Sequence, residues 1–144
     1  MAPHVRVTDE PLSLEHLAGL VRRDSAGAIV TFQGTTRDVD RLEYEAYREM
    51  AEERIGAIVA EAVERHGLEA AAAEHRIGTV ERAAPSVIVA VAAAHREEAF
   101  AAAREIIDRI KSEAPIWKKE VEGEQKRWVE GTQARTASEG HARS

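Results

Sequence analysis

Residues 86–95 read SVIVAVAAAH, the most apolar stretch of the chain. A short, β-branched, uninterrupted apolar run reads as a buried strand at the centre of a sheet. The rest of the chain then has to supply its neighbours and its cover.

The flanking segments divide by period. HVRVTDEPL alternates as a short strand and is ended by Pro11. Ser13 stands where an N-cap belongs, before a helix through about Arg23 with Leu14, Leu17, Leu20 and Val21 on one face. AIVTFQG, closed by Gly34, reads as a buried strand, and LEYEAY (42–47) as a strand with one wet face. A long helix from near Arg48 carries Ile55, Ile58, Val59, Ala62 and Val63 at helical spacing, and Gly67 sits at its C′ position. AAAEHRIGTVERA reads as one strand with a kink or bulge at Gly78. A last helix from about Glu97 to Lys111 places Phe100, Ala103, Ile107 and Ile110 on its buried stripe. PIWKKEVEG and KRWVEG read as two strands of a hairpin turning at Glu122-Gly123-Glu124.

Strands and helices mix without strict alternation, so the fold class is α+β rather than a doubly wound sheet. No internal repeat or linker divides the 144 residues, a length that suits one domain. That domain is expected over 1–131. The polar, small-residue tail 132–144 is expected to be mobile.

Composition excludes several functions. The net charge of −6 argues against general nucleic-acid binding, though not against a local anion pocket. No apolar run approaches the roughly twenty residues of a membrane span, and the N-terminus lacks the apolar centre of a signal peptide. A soluble, cytoplasmic protein is expected. Cysteine is absent, which removes disulfides, thiolate nucleophiles and thiolate metal ligands. The six histidines show no metal-binding spacing, and neither metal nor cofactor is expected. Sulfur chemistry would need sulfur brought by a partner.

Cations gather where elements end. Arg37 follows QGTT, His95 and Arg96 follow the apolar strand, Lys111 ends the last helix, and Lys118 and Lys119 follow Pro115. Each has a plain explanation. Lys111 can complement the helix dipole, Arg37 can pair with Asp38 or Asp40, and Arg96 with Glu97 or Glu98. Lys118 and Lys119 are strand neighbours, so they face opposite ways. If the cations converge, arginine forks bind phosphate, and a desolvated lysine offers a neutral amine as base or nucleophile. Trp117 and Trp128 read as core or interface aromatics.

GAIVTFQGTTRD (27–38), LEYEAYREMA (42–51), HRIGTV (75–80), AHR (94–96), IKSEAPIWKKE (110–120) and RWVEG (127–131), in this order and spacing, resemble the large subunit of molybdopterin synthase, the MoaE family. The resemblance implies an α/β-hammerhead fold with a mixed and antiparallel sheet. It implies a homodimer with a ubiquitin-like small subunit at each end, a heterotetramer. The small subunit's C-terminal Gly-Gly carries a thiocarboxylate. Two sulfur transfers, each from a fresh small subunit, convert cyclic pyranopterin monophosphate to the dithiolene of molybdopterin. Residue by residue, the resemblance makes Lys111 the catalytic lysine and Lys118 a second pocket lysine. It makes Arg37, His95 and Arg96 substrate-binding, the last two across the dimer interface, and gives Lys119 a basic position at the site. Two departures stand out. Only Val39-Asp40-Arg41 joins TRD to the next strand, where relatives often have a longer connector. Thr132 stands near where some relatives have an arginine, which Arg135 replaces only if the tail folds back. The rival readings are a non-catalytic anion- or nucleotide-binding regulatory module and a structural scaffold for an acidic partner.

Overall fold

The computed structural model describes residues 3–129. The tail 132–144 therefore lies outside the described residues, and so do Thr132 and Arg135. The chain runs β1 (His4–Thr8), α1 (Leu14–Val21), β2 (Ala28–Thr35), β3 (Arg41–Ala46), α2 (Arg48–His66), β4 (Ala70–Arg76), β5 (Gly78–Glu81), β6 (Pro85–Ala93), α3 (Arg96–Glu113), β7 (Ile116–Glu122) and β8 (Gln125–Val129).

β6 does lie inside a sheet. It pairs antiparallel with β4 and β2, while β1 joins β4 in parallel, giving the order β1-β4-β6-β2. Successive β6 side chains enter two apolar layers. Val87, Val89 and Val91 face α2, α3 and the second sheet, and Ile88, Ala90 and Ala92 face Leu17 and Val21 of α1. An apolar run without alternation is what burial on both faces requires. The second sheet, β5-β3-β7-β8, is antiparallel throughout. The α+β expectation with mixed and antiparallel sheets holds.

Local signals set several boundaries. The Ser13 hydroxyl accepts from the His16 amide at 3.1 Å and starts α1. α2 ends on Gly67 in the left-handed conformation, φ 64°.

Four readings need correction. The 70–81 segment is two strands, not one: Gly78, at φ 84°, turns the chain out of the first sheet and into the second. Such a φ is costly for any side chain with a Cβ. β2 is not buried on both faces; it ends its sheet, with Ile29, Thr31 and Gln33 outward and Val30 and Phe32 against the core. The stripe of α3 is Ala99, Ala102, Ala103, Ile106, Ile107 and Ile110, and Phe100 is 62% exposed. Leu20 likewise lies at the exposed flank of its short helix.

At the opposite end of the first sheet, α2 grips β1. Glu52 accepts from the Val7 amide at 2.8 Å, and Arg48 donates to the Val7 carbonyl at 3.0 Å. The outward backbone groups of Val7 are thereby satisfied. No described helix is long and apolar enough to cross a membrane.

Candidate active site

Lys111 lies in the last turn of α3, which Ala114 closes and Pro115 follows. The chain returns at once as β7, where alternation turns Lys118 and Glu120 inward and Trp117 and Lys119 the other way. Trp117 meets Tyr47 edge-on at 5.4 Å. Lys119 lies opposite Trp128 in the β7–β8 pairing, its amine 4.5 Å from the ring centre. Trp128 is thus a half-exposed aromatic serving a cation rather than a core residue.

Lys118 is only 8% exposed. Its partner across the sheet is Tyr44 of β3, and the Tyr44 ring stands edge-on to His75 of β4 at 5.1 Å and 74°. This contact joins the two sheets. His75 is 7% exposed, and its Nδ1 lies 2.8 Å from the Arg76 carbonyl, so Nδ1 donates. Burial, with the nearby charges of Lys111 and Lys118, lowers the His75 pKa to about 4, so the ring is neutral at pH 7. Both lysines, from two elements, therefore act on one buried imidazole. Burial also lowers the Lys111 pKa, which enlarges its neutral-amine fraction. Burial raises the Tyr44 pKa against its hydrogen bond to Ser86, whose own hydroxyl donates to the Gly34 carbonyl at 3.4 Å.

Lys111 also opens onto the surface. A groove of about 480 Å³ between β2 and α3 is lined by Val30, Phe32, Phe100, Ala103, Ile107 and Lys111. The exposed Phe100 forms part of its wall.

The other candidates are placed differently. Arg37 is exposed and pairs with Asp38 at 3.4 Å. His95 caps the start of α3, 81% exposed, with Glu98 at 3.3 Å. Arg96 begins α3, and the rise of the helix puts its backbone roughly 22 Å from that of Lys111. Two side chains so far apart do not close on one phosphate within one chain. The short connector is tied on both sides: Arg82 donates to the Val39 carbonyl at 3.0 Å, and Asp40 accepts from the Gly123 amide at 2.7 Å.

Sequence reasoning missed His75, Tyr44 and Glu120. Glu120 is inward-facing, buried and paired with Arg127. The usable signal was period two: His75 shares a face with Ala71 and Ala73, and Glu120 shares one with Lys118.

The MoaE protein family matches residues 7–113, a span that takes in Lys111 and stops before Lys118. A molybdopterin synthase catalytic subunit of Thermoplasma volcanium is 44% identical over 124 residues, covering 82% of this chain and 90% of its own. The X-ray structure of molybdopterin synthase from Staphylococcus aureus superposes with a TM-score of 0.81 at 34% identity, over 85% of this chain and 94% of that one. A structure of the complex of subunits 1 and 2 of the molybdopterin-converting factor from Helicobacter pylori shares the fold, with a TM-score of 0.72 at 19% identity, over 86% of this chain and 88% of that one.

Proposed function

The chain belongs to the MoaE protein family, and from that premise we propose that it passes sulfur from a thiocarboxylated partner to a cyclic pyranopterin monophosphate at the Lys111–Lys118 centre. Its function is that of a molybdopterin synthase catalytic subunit, an enzyme of molybdenum cofactor biosynthesis. Its partner is a small subunit. In this proposal that subunit is ubiquitin-like and threads a Gly-Gly tail along the β2–α3 groove, so that the tail ends at Lys111.

What supports the reading is that Lys118 stands across the sheet from Tyr44, whose ring contacts the buried, neutral His75, and that the charges of Lys111 and Lys118 both bear on that imidazole. A desolvated amine beside the acyl–sulfur bond acts as nucleophile or proton carrier. The ammonium of Lys118, held in a site of low dielectric, stabilises the negative charge that develops as the bond breaks. Arg37 contributes a fork for the substrate's phosphate. His95 and Arg96 serve from a second copy of the chain, because the length of α3 separates Arg96 from its own Lys111. The working assembly is thus a homodimer with a small subunit at each end, and Lys119 holds a basic position at the rim.

The experiment measures molybdopterin formed from pterin precursor and thiocarboxylated small subunit. Lys111→Ala is expected to lose at least a hundredfold in rate, with an unchanged melting temperature. Near-normal turnover in this variant would remove Lys111 from the reacting centre.

A further inference from the structure

The geometry points to the free edge of β2 as the track for the partner's tail: the tail joins the first sheet as a fifth strand, parallel to β2, and seats one apolar side chain at Ala103. The inference rests on the reading that a Gly-Gly tail ends at Lys111. It adds how that tail is held and which residue selects it.

β2 is an edge of a four-stranded sheet. Its sequence, AIVTFQGT, holds no charge and no proline, and its register shift falls only at the Gly34/Thr35 end. Proteins normally guard an edge of this kind with charge, proline, a bulge or a cover, because its outward N–H and C=O groups invite another strand. At the other edge, Arg48 and Glu52 grip β1. β2 has no such grip among the described residues.

Beside this edge lies an apolar trough. The groove of about 480 Å³ runs from Phe100 past Ala103 and Ile107 to Lys111, with Val30 and Phe32 as its other wall. Phe100 and Ile107 flank Ala103 at helical spacing, and the small side chain leaves room between two large ones. Arg104 and Asp108, paired at 3.0 Å, form the rim.

Topology sets the direction of the occupant. β2 runs antiparallel to β6, and α3 follows β6 at once and folds back over both strands. α3 therefore runs with β2. A tail whose last residue reaches Lys111 runs the same way, so it pairs in parallel. From Phe100 to Lys111 the helix rises roughly 16 Å, the length of about five extended residues. From Ala103 to Lys111 the rise is about 12 Å, or three to four residues. With glycines in the last two places, the side chain at Ala103 belongs to the second or third residue before them. Phe32, Phe100 and Ile107 around it require that side chain to be apolar. The rival occupant of the edge is a second copy of the chain.

The probe is the small subunit with its unmodified Gly-Gly carboxylate, titrated calorimetrically into the full chain. Ala103→Leu is expected to weaken binding about tenfold or more, at an unchanged melting temperature. A small subunit with glycine at the second or third residue before the Gly-Gly pair should bind the parent chain more weakly. It should bind Ala103→Leu better than the parent tail does. Single N-methyl groups in a semisynthetic tail test the strand itself. Successive residues of an added strand turn their N–H groups alternately toward β2 and away, so the loss of affinity should alternate along the tail. This series uses the parent chain and decides the matter even where Ala103→Leu fails to fold. Binding indifferent to every N-methyl group, or tail glycines that weaken both chains equally, overturns the proposal. So does an Ala103→Leu chain that changes from dimer to monomer with its affinity for the small subunit unchanged, which would give the edge to a second copy. None of these measurements needs sulfur. A chain that binds tails in this way but transfers no sulfur would refute the functional reading alone.

Discussion

A buried histidine takes up a proton only at the cost of placing a charge among apolar neighbours, and His75 has two lysines beside it as well. Folded, it stays neutral down to about pH 4; unfolded, it protonates near 6.5. Between those values the unfolded chain binds more protons. The contribution of His75 to stability is complete above about pH 6.5 and is lost as the pH falls toward 4. The loss is limited to roughly 3 kcal/mol. Glu74, on the opposite face of β4, acts in a more acidic window. Burial raises its carboxyl pKa, but hydrogen bonds from Arg6 and His4 outweigh that and hold it below the usual range. Urea unfolding at pH 7 and at pH 4.5 separates the two. The parent chain should lose stability over this interval and His75→Phe should lose clearly less; equal losses would show that His75 is not the group responsible. The lysines were legible in part: strand alternation puts Lys118 and Lys119 on opposite faces, and the family likeness, not the alternation, picked Lys118 as the inward one, as the structure has it. His75 was legible only as an inward position, on the face of Ala71 and Ala73; that a second sheet would bury it against Tyr44 is a non-local matter.

The elements were read best where a boundary is a local matter. Ser13 and Gly67 mark helix ends through bonds and dihedrals within a few residues, and both fall where the sequence puts them. The fate of 70–81 is a non-local matter. Gly78 was visible as an irregularity, but the division of the strand between two sheets depends on β3, more than thirty residues earlier in the chain. Gly78→Ala should therefore destabilise the fold by about 1–2 kcal/mol, the cost of a left-handed residue with a Cβ. Chemical denaturation measures it, and an unchanged midpoint would show that the turn relaxes without φ above zero. α3 misled for another reason. Its alanines allow two neighbouring stripes with the same period, and only the packing of Ala99, Ala102 and Ile106 against the sheet chooses between them. Ion pairs then hold α3 against α2, with Arg109 reaching Glu61 at 2.9 Å from one helix to the other and Glu113 at 2.7 Å along its own. The helix that carries Lys111 is thus anchored along its length.

At the scale of the whole molecule, the site proposed here is shared between copies. Arg96→Ala and Lys111→Ala should each be inactive alone. Mixed under conditions that exchange subunits, they should recover about a quarter of the parent activity, since half the dimers are hybrids and each hybrid keeps one of its two centres intact. Activity that stays at the background of the single variants would place Arg96 and Lys111 in the same chain's site. The sequence showed which cations matter through family likeness, but the length of α3 was needed to show that one chain does not unite them. A related constraint follows from the grip of Arg48 and Glu52 on β1. With the hydrogen-bonding groups of Val7 already taken, the β1 edge of the first sheet is obstructed there, whereas β2 is the sheet's other edge. Strand addition at β1 would have to displace the α2 side chains from Val7, whereas addition at β2 would not. The first sheet is thus biased toward extension from one edge only.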